Sequence, residues 1–215
     1  MRNFQKELDH IIEQLPQGAP RPTLLLHCCC APCSSYVLEY LSQFFAITVD
    51  FYNPNIAPQQ EYTHRANELR RLIEEMPLGG TVTFREGPYE PAAFAEIAKG
   101  LETCPEGGER CFRCYELRLR QAAKLAKQGG FDWFTTTLSI SPLKNAAKLE
   151  EIGEALAKEY GVRYLPSDFK KKEGYKRSIA LSHDYGLYRQ DYCGCAFSRA
   201  AREEQKSKQA AEAQK

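Results

Sequence analysis

Five short runs of aliphatic, β-branched or aromatic residues punctuate the chain, beginning at Thr23 (TLLLHC), Ile47 (ITVDFYN), Thr81 (TVTFRE), Phe131 (FDWFTTTL) and Val162 (VRYLPSD). Between them, apolar positions recur with helical spacing among good helix formers, in YVLEYLSQF, EYTHRANELRRLIEEM, CYELRLRQAAKLAKQ and NAAKLEEIGEALAKEYG. The last of these stops at Gly161, the residue type that best closes a helix. Strands alternating with helices make βαβ units, so the pattern predicts an α/β fold, a Rossmann-like and mainly parallel sheet with helices on both faces. In such open sheets the ligand site lies beyond the carboxyl ends of the strands. Cys28 to Cys33, Asp50 to Asn55, Thr135 to Ser141 and Asp168 all fall at or just past such an end, and they are expected to converge.

After Pro166 the sequence turns polar, basic and aromatic, with no clear strand. This predicts a helical extension over residues 166–198 that folds back over the sheet edge and brings Cys193 and Cys195 to the site. Residues 1–198 are therefore read as one domain. Residues 199–215 lack an apolar face and read as a frayed or disordered tail.

Composition narrows the setting. The 215 residues, 43% apolar and 27% charged, suit a globular protein. No apolar run approaches the roughly 18 residues of a spanning helix. The N-terminal MRNFQKELDHIIEQLPQG carries scattered acidic residues and no unbroken apolar core, unlike a secretory signal, so the expected location is the cytoplasm, away from membranes. A net charge of +1 exerts no global pull on nucleic acid, and any such binding must be local.

Nine cysteines change the picture most, because in a reducing compartment they point to metal binding or redox chemistry. They fall into Cys28-Cys29-Cys30 with Cys33, a lone Cys104, Cys111-Phe-Arg-Cys114, and Cys193-Gly-Cys195. Cys111 opens a helical run and Cys33 lies near a helix start, where exposed N–H groups favour thiolate over thiol. A single zinc site in an RNA-binding module needs four ligands, fewer than the seven clustered thiols left when Cys28 and Cys104 are set aside. Cys30-Ala-Pro-Cys33 has the spacing of a thiol–disulfide oxidoreductase, which leaves the other two groups unexplained. The CxxxCxxC of radical SAM enzymes fails at Tyr36. A [4Fe–4S] cluster takes four thiolates from distant loops, and Cys29, Cys30, Cys111 and Cys114 supply them. Cys193 and Cys195 then stand beside the cluster, either as a dithiol that cycles through a disulfide or as ligands to an additional metal ion.

The motifs HCCCAPCSS, DFYNPNIAPQQEYTHR, EGGERCFRCYELRL, FTTTLSISPLKN and LYRQDYCGCAFS, in this order from about Thr23 to Ser198, resemble those of the QueH family of epoxyqueuosine reductases, the cobalamin-independent enzymes of queuosine biosynthesis. The resemblance implies an oxidoreductase that deoxygenates epoxyqueuosine to queuosine at the wobble position of tRNA, turning an epoxide into an alkene with release of water. It further implies a [4Fe–4S] cluster next to a redox-active cysteine pair or an additional iron ion, with tRNA and an unidentified electron donor as partners. Cys29 and Cys30 match the paired cysteines of the family's CCAPC, Cys33 its last cysteine, Cys111 and Cys114 its RCxxC, and Cys193 and Cys195 its YCGC. The first pair and the RCxxC pair are thereby assigned to metal, and Cys33, Cys193 and Cys195 to catalysis. Cys28 and Cys104 are passengers.

Polar candidates surround these motifs. Asp50, Tyr52, Asn53 and Asn55, with Glu61, Tyr62 and Arg65 beyond them, either contact the cyclopentane ring and donate a proton or make a turn and a helix cap. Thr135 to Thr137, Ser139 and Ser141 divide between strand packing and phosphate contact, and Lys144 is a candidate phosphate partner. The basic run from Lys170 to Arg177 is either a solvated loop or a phosphate strip, with Lys170 and Lys171 on RNA and Tyr175 free to stack on a base. Asp168 and Arg189 are also placed at the site. His27 reads as a strand-end histidine satisfied by backbone.

Overall fold

Each of the five apolar runs contains a strand: β1 (Thr23–His27), β2 (Ala46–Phe51), β3 (Val82–Glu86), β4 (Trp133–Thr136) and β5 (Arg163–Tyr164). In the computed structural model, which describes residues 2–16 and 18–212, they form one parallel sheet in the order β3-β2-β1-β4-β5. His27 at the end of β1 stands opposite Asp50 of β2 and Thr136 of β4. The winding reverses at β1, so the crevice beyond β1 and β4 is the switch point at which doubly wound sheets bind their ligands. The expected Rossmann-like architecture is the one observed.

Strand β1 shows how the sheet is covered on both faces. Its side chains alternate. Leu24 and Leu26 pack with Val37 and Leu38 of α2 (Ala31–Leu41) and with Leu69 and Leu72 of α3 (Gln59–Glu75). Leu25 packs on the other side with Leu119 and Ala122 of α5 (Glu109–Gln128) and Leu149 of α6 (Ala146–Tyr160). Each fully buried leucine contributes about 1.5–3 kcal/mol, so the central strand is anchored from both layers. Helix α6 is capped by the Asn145 side chain, which accepts the Lys148 N–H at 3.0 Å, and it ends at Gly161 with φ +63°.

Two helices escape the strand–helix alternation read from the sequence. In α1 (Phe4–Glu13), Asn3 accepts the Lys6 N–H at 3.1 Å, and Leu8, Ile11 and Ile12 close the α2 side of the core. The short α4 (Pro91–Ala98) begins on a proline and buries Phe94. Beyond β5 the extension is helical: α7 (Gly174–Asp184) lies along α2, and α8 (Ala196–Glu212) begins at the CGC motif. A side chain at Gly174 would meet the Phe169 carbonyl at 2.1 Å and the Tyr36 ring at 2.4 Å, so only glycine permits that close approach. Residues 199–212 continue α8 as a mostly exposed helix, and the tail read for residues 213–215 lies outside the described residues. No helix among the described residues is long and apolar enough to cross a membrane.

A carboxyl group is buried in the helical layer. Glu150 of α6 is 1% exposed; one carboxyl oxygen accepts the Ser167 N–H at 2.9 Å and the other has no partner. Burial pushes its pKa up to about 8 from the ordinary 4.5. Folding therefore takes up a proton, and the stabilising contribution present in acid is lost as pH rises from about 4.5 through about 8. Glu150→Gln is expected to melt close to wild type in mild acid and above it at alkaline pH. A gap between the two melting curves that does not widen as pH rises would contradict this assignment.

Candidate thiol-rich metal centre

The cysteine run follows directly from β1. Cys28 still belongs to the sheet, donating its N–H to the Asp50 carbonyl at 3.0 Å and packing its side chain into the core. Cys30 is the N-cap of α2, with extended backbone, and Cys33 lies three residues on at the same helix end. The Cys29, Cys30 and Cys33 sulfurs all lie within 4.8 Å of one another and can together hold a metal ion. The Cys29 thiol donates toward Cys30 over 3.9 Å. Hydrogen bonds from Cys29 and then Cys33, with Arg65 adding its charge, hold the Cys30 thiol well below the usual range, whereas the hydrogen bond with Cys30, joined by burial and opposed by Cys33, pushes Cys29 up to about 11. Of the three, Cys30 is the thiol whose ionised form these contacts favour, while Cys33 is pushed the other way by hydrogen bonds from Cys29 and Cys30.

Cys111, Cys114 and Cys195 also sit at helix starts. Cys111, in the first turn of α5, accepts the Gly107 N–H at 3.3 Å; Cys114, one turn on, is buried, and its pKa is driven up to about 12 by that burial. Cys195 leads into α8: its carbonyl accepts the Arg199 N–H at 3.0 Å and its sulfur the Ser198 N–H at 3.4 Å. Gly194 holds the CGC turn at φ +118°, and its carbonyl accepts the Ala57 N–H at 3.0 Å. The Cys193 carbonyl accepts from Arg65 Nη1 at 3.1 Å. Three helix N-termini, each carrying cysteine, therefore meet at the switch point, and their N–H groups and dipoles favour anionic sulfur.

Two neighbouring spaces separate the thiols. Cys111, Cys114, Cys193 and Cys195 line a closed chamber of about 10 Å³. Cys29, Cys30, Cys33 and Cys193 line a larger cavity of about 480 Å³, whose wall includes Leu143 and Tyr175. Cys193, Arg118, Lys144 and Glu106 border both.

Charge in this region is lopsided. Arg65, Arg110, Arg118 and Lys144 are all buried. Glu61 pairs with Arg65 at 2.7 Å and Glu106 with Lys144 at 3.1 Å. Arg118 donates from Nε to the Cys114 carbonyl at 3.1 Å, and its Nη2 has no partner. Lys144 Nζ stands 3.2 Å from Cys193 Sγ. Burial works to lower the Lys144 pKa, but Cys193, Tyr115 and Glu106 more than offset it, and the ammonium stays charged. Buried cations without counter-ions are strongly unfavourable, so the interior calls for negative charge at the sulfurs. Soft thiolate donors next to surplus positive charge fit a metal group that is net anionic once its thiolates are counted.

The polar candidates divide. Asp50 is buried against its register partner Arg85 at 2.6 Å, Tyr52 donates to Glu90 at 2.9 Å, and Asn53 donates to the Cys28 carbonyl at 2.8 Å. Tyr62 donates to the Gly87 carbonyl at 2.8 Å. Asn55 borders the closed chamber, its buried Oδ1 without a partner. His27 shares hydrogen bonds with Thr136 Oγ1 at 2.8 Å and the Tyr52 carbonyl at 3.2 Å; burial, reinforced by Arg118, pushes its pKa down to about 4. Thr135 donates to the Leu165 carbonyl, and Ser139 meets Ser167.

In the basic run, Lys170 pairs with Asp168 at 2.9 Å and donates to the Ser139 carbonyl, while Lys172 meets Asp9, Lys176 meets Glu173 and Arg177 meets Glu39. Among the described residues, Lys171 alone in that run has no acidic partner. Tyr175 and Arg189 reach the large cavity, and Arg189 donates to Ser182 Oγ at 2.9 Å. Arg118 and Glu106 were not anticipated. Arg118 follows Cys114 by four residues and Cys111 by seven, the spacing of one helix face, so the sequence did carry its signal. Glu106 carried none.

A doubly wound parallel sheet with thiols gathered at its switch point defines an α/β protein with a cysteine-built, metal-capable centre. The comparisons give the family. The family model described as Epoxyqueuosine reductase QueH matches residues 24–201. Curated relatives named Epoxyqueuosine reductase QueH include one from Staphylococcus epidermidis, 46% identical over 200 residues that cover 91% of this chain and 84% of the relative. One from Streptococcus pyogenes is 43% identical, covering 91% and 78%, and one from Thermotoga maritima 35% identical, covering 85% and 93%. The chain belongs to the QueH family of epoxyqueuosine reductases, oxidoreductases of tRNA modification.

Proposed function

We propose that this chain, acting in the cytoplasm, reduces epoxyqueuosine at the wobble position of tRNA to queuosine, with Cys29, Cys30, Cys111 and Cys114 holding a [4Fe–4S] cluster and Cys193 and Cys195 acting beside it. The observation that carries the reading is the gathering of seven free thiols at one switch point under buried Arg118 and Lys144. A bound cluster supplies electrons one at a time. The reaction consumes two electrons and two protons: both C–O bonds of the epoxide break, a C=C bond forms, and the oxygen leaves as water. If Cys193 and Cys195 supply the electron pair they end as a disulfide, which an external donor must reduce.

The residues around the thiols have definable parts in this reading. Cys33 and Cys193 border the large cavity and so face the side from which a nucleotide enters. Lys144, donating to Cys193 Sγ at 3.2 Å, holds that sulfur in place and, with Glu106 at 3.1 Å, forms a proton-bearing pair next to the departing oxygen. The compact Cys29–Cys30–Cys33 triad favours a second division of ligands, in which Cys33 joins the metal-holding set or helps bind an additional iron.

Reduced protein incubated without oxygen with epoxyqueuosine-containing tRNA is expected to yield a nucleoside lighter by one oxygen. Cys193→Ser should keep its iron and lose turnover; full turnover would remove the CGC pair from the mechanism. Cys111→Ala should lose cluster absorbance. Cys33→Ala should keep it under the first division and lose iron under the second. Replacing Arg118 with Leu removes a buried positive charge beside the thiolates, which should move the cluster's reduction potential to more negative values, with Arg118→Lys in between. A potential unchanged in Arg118→Leu would contradict the electrostatic assignment.

A further inference from the structure

Chemistry on a nucleotide in a stacked loop requires it to leave the stack, and the gap it leaves must be filled or the loop closes again. The cavity that reaches Cys29, Cys30, Cys33 and Cys193 has a volume of about 480 Å³, within the range of small-ligand sites. Its mouth is unusual. Among the described residues, the exposed large apolar side chains are Leu143, Tyr175 and Ile179, at 68%, 38% and 43% exposure. Leu143 and Tyr175 border this cavity, and Ile179 follows Tyr175 by four residues on the same side of α7. Single exposed apolar residues are ordinary on a surface, but two at the rim of one cavity, with a third one turn further along α7, form a patch.

Leu143 is held outward by a stiff turn. Pro142 precedes it, its N–H donates to Ser141 Oγ at 3.3 Å, the Lys144 N–H donates to the Ser141 carbonyl at 3.1 Å, and Asn145 caps α6. Lys144, the very next residue, points inward to Cys193 Sγ at 3.2 Å, so the inner contact fixes where the outer side chain stands. A polar residue would serve better at so exposed a turn if nothing docked there. Among the described residues, Lys171, in the turn before α7, and Arg189, on the cavity wall and donating to Ser182 Oγ, have no carboxylate partner, so their charge is available to phosphates.

We infer that Leu143 is a wedge that enters the anticodon-loop stack in place of the extruded wobble nucleotide, while Tyr175 and Ile179 form the platform on which a neighbouring base rests. Apolar side chains, leucine included, play this part where proteins separate stacked bases. The inference rests on the tRNA reading above and adds the residue that opens the loop. It is tested with an anticodon stem–loop carrying 2-aminopurine on the 3′ side of the wobble position, since stacking quenches that base. Wild-type protein should brighten the probe severalfold on binding. Leu143→Ala should lose most of that rise and, with iron content unchanged, turn over tRNA with kcat/KM lower by about tenfold; Leu143→Met should recover both. A Leu143→Ala protein that brightens the probe and turns over like wild type overturns the wedge and leaves the reductase reading intact. Wild-type protein with full iron that neither brightens the probe nor turns over tRNA overturns the substrate reading, and the wedge with it.

Discussion

Arg118 lies wholly in the interior, its Nε on the Cys114 carbonyl and its Nη2 without a partner, and among the described residues no carboxylate answers its charge. Lys144 is nearly as deep, and it divides its ammonium between Glu106 and the Cys193 sulfur. Such cations are tolerated only beside negative charge. Three helix N-termini press on the same place from α2, α5 and α8, so each element that delivers cysteine also delivers positive potential. The arrangement therefore depends on anionic sulfur, and metal-bound thiolates are the form of cysteine that supplies it at neutral pH.

The sheet makes that concentration possible. A parallel sheet wound outward from β1 leaves one crevice where consecutive loops diverge, and the loop after β1 carries the first cysteine group directly into it. The other two groups come from segments far away in sequence, the start of α5 and the start of α8. They are locked by contacts that cross the crevice: Arg65 of α3 donates to the Cys193 carbonyl, and Ala57 to that of Gly194. Closed chamber and open cavity then share a wall at Cys193, which places that thiol between the deeper sulfurs and the solvent side.

Much of this was legible in the sequence, for physical reasons that differ by element. The five strands were visible because central parallel strands are apolar on both faces, and even β5, only Arg163–Tyr164, was marked by Gly161 before it. Helix α1 is the exception, because its few apolar residues, Leu8, Ile11 and Ile12, stand in a short charged segment whose composition bears first on the question of a secretory signal. Spacing put Cys33 in one group with Cys29 and Cys30, whose sulfurs do lie together, but it could not show that Cys193 borders both spaces. Polar residues were the least legible. Asp50 and Asn53 are used up by Arg85 and the Cys28 carbonyl, and most of the basic run is matched by acids as distant in sequence as Asp9 and Glu39. Pairings of that kind belong to tertiary structure and leave no local trace.

The proposed function requires the clustered thiols, beside buried positive charge, to hold an iron–sulfur group. The measurement that tests it most directly is the metal and acid-labile sulfide content of protein purified without oxygen. About four irons per chain with matching sulfide, or one iron more, is the predicted result. Zinc without sulfide would contradict it, and would make the cysteines a structural device with no part in electron transfer.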